Sequence, residues 1–86
     1  MGDSRGKRSL GDVEIVLVTR QGCHLCDEAL AALRSLGVDP ELRDVDADEQ
    51  LHDQYDFRVP VVLADGRVVG EGKVRRDDLR RALRLA

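Results

Sequence analysis

Apolar and polar residues fall into blocks whose period changes along the chain. Residues 1–12, MGDSRGKRSLGD, are polar, Gly-containing and mixed in charge, which reads as a mobile N-terminal tail. The run VEIVLVT (13–19) is rich in β-branched residues and nearly all apolar, as in a central strand covered on both faces. RQG then turns the chain. From 23 to 36 the period becomes helical: Cys26, Ala29, Leu30, Leu33 and Leu36 form one apolar stripe. Gly37 stands where a glycine would end that helix.

DPELRDVD (39–46) carries only Leu42 and Val45 as apolar residues after its proline, so it reads as a short strand near a sheet edge. Asp46 and Glu49 have capping-box spacing and predict a short helix carrying Leu51 and Tyr55. FRVPVVLADGRVVG (57–70) predicts a hairpin. Its two β-rich runs, 59–64 and 67–70, flank Asp65-Gly66, a type I′ turn signal. After the loop EGK, residues 75–85 predict a last helix with Leu79, Ala82 and Leu83 on one side. Asp77 and Asp78 lie near its start, and Arg80, Arg81 and Arg84 towards its end, as the helix dipole favours. The basic face these arginines form is expected to be solvated first, and a site for an acidic partner second.

The predicted order is β-α-β-α-β-β-α. The first two strands, joined by a helical crossover, should be parallel, and the last two, joined by a tight turn, antiparallel. The expectation is an α/β fold: one domain over residues 13–86, a four-stranded mixed sheet with helices on both faces.

Composition narrows the function classes. The chain has 86 residues, 42% hydrophobic and 36% charged, with a net charge of −3. That fits a globular domain and gives no basic field for nucleic acid. The N-terminus has no apolar core of a secretory signal, and the longest apolar run, VPVVLA (59–64), is too short to span a bilayer. A cytoplasmic location is therefore expected, with no membrane partner. In that reducing setting, paired cysteines serve catalysis or a metal rather than a permanent staple.

Both cysteines of the chain, Cys23 and Cys26, stand two residues apart in TRQGCHLCDEAL. Random placement gives this spacing in roughly 2% of cases, so the spacing alone decides nothing. A redox pair, half of a metal site and coincidence remain as readings. In the redox reading Cys23 lies at the helix start, where unpaired N–H groups favour its thiolate, and Cys26 lies one turn on, within reach of a mixed disulfide. A protonated His24 would favour that thiolate, and Asp27 and Glu28 would oppose it. A closed zinc site needs two further ligands, for which the chain has His24, His52 and carboxylates but no second CxxC. Pro60 begins a strand expected to be interior, where proline is normally excluded. A bulge, an edge position or a cis Val59–Pro60 bond would each account for it. Tyr55 and Phe57 are expected to pack in or at the rim of the core, and His52 to be solvated.

Taken together, GCHLC after a β-rich strand and YDFRVPV before a hairpin resemble the thioredoxin fold in its minimal glutaredoxin form. The start is similar to small bacterial glutaredoxin-like proteins with a CHLC centre, over about residues 13–85. The resemblance implies a dithiol–disulfide oxidoreductase in which Cys23 attacks and Cys26 resolves. It implies that Pro60 is a cis-proline facing the site and that the Val59 backbone pairs with a bound peptide or glutathione. Arg20 matches a basic residue that meets the glutathione carboxylate, and a solvated loop arginine is its plainer role. Arg58 has the same two readings. His24 and Leu25, between the cysteines, complete the expected substrate-binding set of Arg20, His24, Leu25, Val59 and Pro60. No bound cofactor and no metal are implied, with glutathione as one candidate co-substrate.

Some positions depart from the family pattern. His24-Leu25 stands where glutaredoxins usually have Pro-Tyr. Gly22 stands where thioredoxins have Trp, and Leu17 where they bury an acid. GEGK (70–73) only loosely echoes the glycines and Asp that meet the γ-glutamyl end of glutathione. The expected partners are protein disulfides and an electron donor, either glutathione or a thioredoxin-reductase-like protein, with the domain acting as a monomer. The alternative is a non-catalytic module of the same fold, using the CxxC for a metal, an Fe–S cluster or a regulatory partner.

Overall fold

The computed structural model describes residues 14–83. The expected tail, Val13 and residues 84–86 lie outside the described residues. Strands β1 (Ile15–Thr19), β2 (Glu41–Asp44), β3 (Val61–Ala64) and β4 (Arg67–Glu71) alternate with helices α1 (His24–Ser35), α2 (Glu49–Tyr55) and α3 (Arg76–Ala82) in the predicted order. The sheet order is β2-β1-β3-β4. β1 pairs with β2 in parallel and with β3 antiparallel, and β3 pairs with β4 antiparallel. The ladder skips Val69, a one-residue bulge between the Val62–Gly70 and Leu63–Val68 pairs.

β1 and β3 are interior strands, and their alternation fills two cores. Ile15, Leu17, Val62 and Ala64 pack with Ala29, Leu33, Val38 and Leu79 on the α1–α3 side. Val18, Val61 and Leu63 pack with Val45 and Tyr55 on the α2 side. Helices therefore cover both faces of the sheet, and β2 and β4 form its edges. Leu42 on β2 is half exposed, as an edge position allows.

The α1 stripe is buried at Cys26, Ala29 and Leu33. Its end is a Schellman motif: the Gly37 N–H donates to Arg34 O (2.9 Å) and the Val38 N–H to Leu33 O (3.0 Å). Gly37 adopts φ +82° there, and Val38 packs back onto the Leu33 cluster. The hairpin turn has positive φ at both Asp65 (52°) and Gly66 (84°), the type I′ signature.

Three expectations need correction. Asp46 does not cap α2. A 3₁₀ turn, Val45–Ala47, follows β2, and Asp48 caps the helix by accepting from the N–H groups of Gln50 and Leu51. The Asp46 carboxylate, two residues earlier, is held by Arg20, described below. Phe57 is not a core residue: it is 95% exposed, whereas Tyr55 is buried. The last helix begins at Arg76, with Arg75 in the cap position.

Candidate active site

The site lies at one end of the sheet. Thr19, the last residue of β1, pairs with Asp44, the last of β2, and Val18 pairs with Val61, the first of β3, which itself pairs with Glu71, the last of β4. The loops carrying Arg20–Cys23, Asp46, Phe57–Pro60 and Gly72 thus leave from the same end. At the carboxyl ends of β1 and β2, with helices departing to opposite faces, a sheet of this kind offers its crevice.

Cys23 is placed by a tight turn. Its N–H donates to Arg20 O (3.3 Å), and Gly22 takes φ +74°, which a side chain would resist. Cys23 is the N-cap of α1, and its Sγ accepts from the Cys26 N–H at 3.0 Å. Cys23 and Cys26 are paired as a disulfide with 5.2 Å between their Cα atoms. Cys23 is half-buried, whereas Cys26 is 3% exposed and sits on the apolar stripe of α1. The outer cysteine is therefore partly open to solvent, and the inner one belongs to the core.

The residues between them diverge. His24 points to solvent, its Nε2 3.0 Å from Glu28 Oε2 one turn along the helix. Leu25 is half-buried beside the disulfide. Leu17 is fully buried, and no polar or charged side chain is buried among the described residues. The Val59–Pro60 bond is cis, and Pro60 is buried. Val59 lies outside the strand ladder, which starts at Val61, and Pro60 O accepts from the Gly72 N–H (2.9 Å).

Arg20 has partners within the chain that the sequence alone did not disclose. Its Nε and Nη2 donate to the two oxygens of Asp46, both at 2.8 Å, in a bidentate fork. Nη1 donates to the Asp56 carbonyl (3.1 Å), and Nη2 also bonds the Asp56 carboxylate. The hydrogen bonds with Asp46 first, and those with Asp56 next, hold the guanidinium firmly protonated, above its ordinary range. In return, the Asp46 carboxyl is held below its ordinary value of 3.8. His52, expected to be solvated, joins the cluster with Nε2 3.8 Å from Asp46 and 3.5 Å from Asp56. Asp46, His52 and Asp56 could each offer a ligand atom within 4.8 Å of the others. Arg20 already bonds both carboxylates, and this set does not include the cysteines. Arg58 is likewise engaged: its Nε donates to Glu71 Oε1 (2.6 Å), and its guanidinium lies 5.2 Å from the Tyr55 ring centre.

Two patterns coincide at this sheet end: a helix-capping cysteine bonded to a second one turn on, and a cis X–Pro turn opening the neighbouring strand. The glutaredoxin-like domain family (DUF836) matches residues 14–84. The chain belongs to that family. Its structure is similar to an X. campestris protein solved by X-ray crystallography, with 32% identity and a TM-score of 0.72 over 84% of this chain and 97% of the other. A Nitrosomonas europaea protein solved by NMR is 28% identical, with a TM-score of 0.70 over 94% of this chain and 96% of the other. A glutaredoxin from Archaeoglobus fulgidus shares the fold at 24% identity, with a TM-score of 0.63 over 92% and 98%. No curated protein matches. The glutaredoxin-like fold expected from the residues is thus shown. No helix among the described residues is long and apolar enough to cross a membrane.

Proposed function

We propose that this glutaredoxin-like domain is a dithiol–disulfide oxidoreductase. The observation that carries the reading is the split placement of the sulfurs: Cys23 at the solvent-facing helix cap, Cys26 buried one turn behind it. In the reduced form, the Cys26 N–H and the helix N-terminus stabilise negative charge on Cys23 Sγ. That thiolate attacks one sulfur of a substrate disulfide, forms a mixed disulfide, and expels the other sulfur as a thiolate that takes a proton. Cys26 then loses its proton and attacks Cys23 Sγ. The Cys23–Cys26 disulfide forms, and the second substrate sulfur leaves as a thiol. Two electrons pass from the dithiol to the substrate. With no buried acid among the described residues, the Cys26 proton goes to solvent or to the departing sulfur.

Substrates in this reading are protein disulfides, held along the Val59 backbone beside Pro60. A dithiol protein or glutathione restores the reduced pair, in a reducing compartment such as the cytoplasm. The domain acts as a monomer, without a bound metal and without nucleic acid. A coupled assay tests it, run once with glutathione and its reductase and once with thioredoxin reductase, on insulin as the disulfide substrate. Wild type should turn over in at least one arm. Cys23→Ser should be inactive, and Cys26→Ser should accumulate a mixed disulfide with substrate, seen as added mass. A Cys23→Ser protein as active as wild type would overturn the reading.

A further inference from the structure

Arg20 stands where three loops of the sheet end meet. It is two residues past Val18, and Val59 is two residues before Val61, the β3 partner of Val18. Arg20 and Val59 therefore leave the same strand pair at the same end. On the other flank Thr19 pairs with Asp44 of β2, and Asp46 follows two residues on. Because β1 lies between β2 and β3, a side chain from its end can reach both neighbouring loops.

The guanidinium is used almost to capacity. Arginine offers five N–H groups in a rigid plane. Nε and Nη2 each donate to Asp46, Nη2 also bonds the Asp56 carboxylate, and Nη1 donates to the Asp56 carbonyl, so four of the five are taken. Asp46 lies in the 3₁₀ turn before α2, and Asp56 is the C-cap of α2, so one side chain clasps both ends of that helix. Its own backbone carries the link onward, since Arg20 O accepts from the Cys23 N–H (3.3 Å). Cys23 and Asp56 are thus each one hydrogen bond from Arg20.

The segment from Asp56 to Pro60 has other anchors, and they point elsewhere. The Arg58 N–H donates to Tyr55 O (2.9 Å), and Arg58 Nε donates to Glu71 on β4 (2.6 Å). Pro60 O accepts from the Gly72 N–H beyond β4. Outside the strand ladder, no hydrogen bond or ion pair among the described residues joins 20–26 to 56–60 except those of Arg20. A misplacement of about 1 Å between a bound substrate and its nucleophile costs up to about 100-fold in rate. Lysine could not replace this link, because an ammonium is a point charge and the planar fork grips Asp46 twice while its other edge reaches Asp56.

We propose that Arg20 is a positioning residue for disulfide exchange, which keeps the Val59 backbone in register with Cys23 and takes no direct hold on the substrate. The proposal rests on the disulfide-exchange reading and adds no step to it.

The test uses the pre-reduced full chain and an extended cysteine peptide capped as a mercaptoethanol mixed disulfide. Single-turnover rates are read against peptide concentration. Arg20→Lys keeps the charge and loses the fork. It should raise the half-saturating peptide concentration about tenfold, the equivalent of one substrate hydrogen bond, and lower the maximal rate less than about threefold. Alkylation of Cys23 by iodoacetamide, which takes no hold on Val59, should stay within about twofold of wild type between about pH 5 and 9. Asp46→Asn, which leaves the Asp56 contacts in place, should shift half-saturation in the same direction by a smaller factor, and it serves if Arg20→Lys does not fold. An Arg20→Lys protein with wild-type half-saturation would overturn the proposal, since charge alone would then suffice. So would alkylation that falls in step with the peptide rate, since Arg20 would then act on Cys23 itself. Both results leave disulfide exchange standing. No reduction of the peptide by folded wild type would remove that reading and this one together.

Discussion

Cys23 and Cys26 are one helical turn apart, yet they face different surroundings, half-buried at the cap against 3% exposed on the core side. After reduction, iodoacetamide at neutral pH should label Cys23 first and leave Cys26 largely unmodified, since the accessible thiolate is the reactive species. Peptide mapping of partly alkylated protein checks this, and equal labelling would contradict the assigned roles. Asp46 carries a second residue-scale prediction. Its folded-state carboxyl sits below its ordinary 3.8, because Arg20 bonds it. A depressed carboxyl contributes stability that is fully present above the ordinary value and is lost as pH falls through the folded one. Asp46→Asn should therefore flatten the dependence of Tm on pH below about pH 4 while changing its slope little near pH 7. A melting series from pH 2.5 to 7 reads it.

At the scale of elements, most of the architecture was legible because burial imposed a clear period. The apolar run of β1, the stripe of α1 with its closing glycine and the Asp65-Gly66 turn each obey one dominant local rule, and each formed as the rule requires. The failures lie where two residues compete for one role. Asp46 and Asp48 both precede α2, and spacing to Glu49 favoured Asp46. The choice was made by Arg20, distant in sequence, which takes Asp46 and leaves the cap to Asp48. Asp48→Ala should cost about 1 kcal/mol, whereas Glu49→Ala should be nearly neutral. Urea unfolding of the two variants compares them, and the reverse ranking would restore the Asp46 cap. Phe57 was misjudged for a related reason: aromatic residues are usually buried, and no local pattern marks one that a turn carries outward. The cysteine pair and Val59-Pro60 could be read in the sequence. The acids that pair with Arg20 and Arg58 could not, because ion pairs across 13 to 36 positions leave no periodic trace.

At the scale of the whole molecule, the sheet separates two cores of unequal strength. On one side, α1 and α3 contribute Ala29, Leu33 and Leu79 against Ile15, Leu17, Val62 and Ala64, joined by Val38. On the other, α2 offers a single buried side chain, Tyr55, against Val18, Val45, Val61 and Leu63. α2 has seven residues, too few to be helical alone, so its order depends on Tyr55 and partly buried Leu51, on the Asp48 cap and on the Arg20 cluster at its end. Local opening draws on the elements with the least buried apolar area. The amides of α2 should therefore exchange with deuterium well before those of α1, β1 and β3, whose opening requires loss of the larger core. That opening also releases Asp56 and His52 from the Arg20 cluster, and with it the segment that holds Phe57. Hydrogen exchange read residue by residue tests the ordering, in wild type and in Tyr55→Leu. The substitution should accelerate exchange in α2 more than tenfold if it removes about 1.5 kcal/mol of local packing, and should leave α1 changed far less. Uniform acceleration across both helices would mean that the domain opens only as one unit.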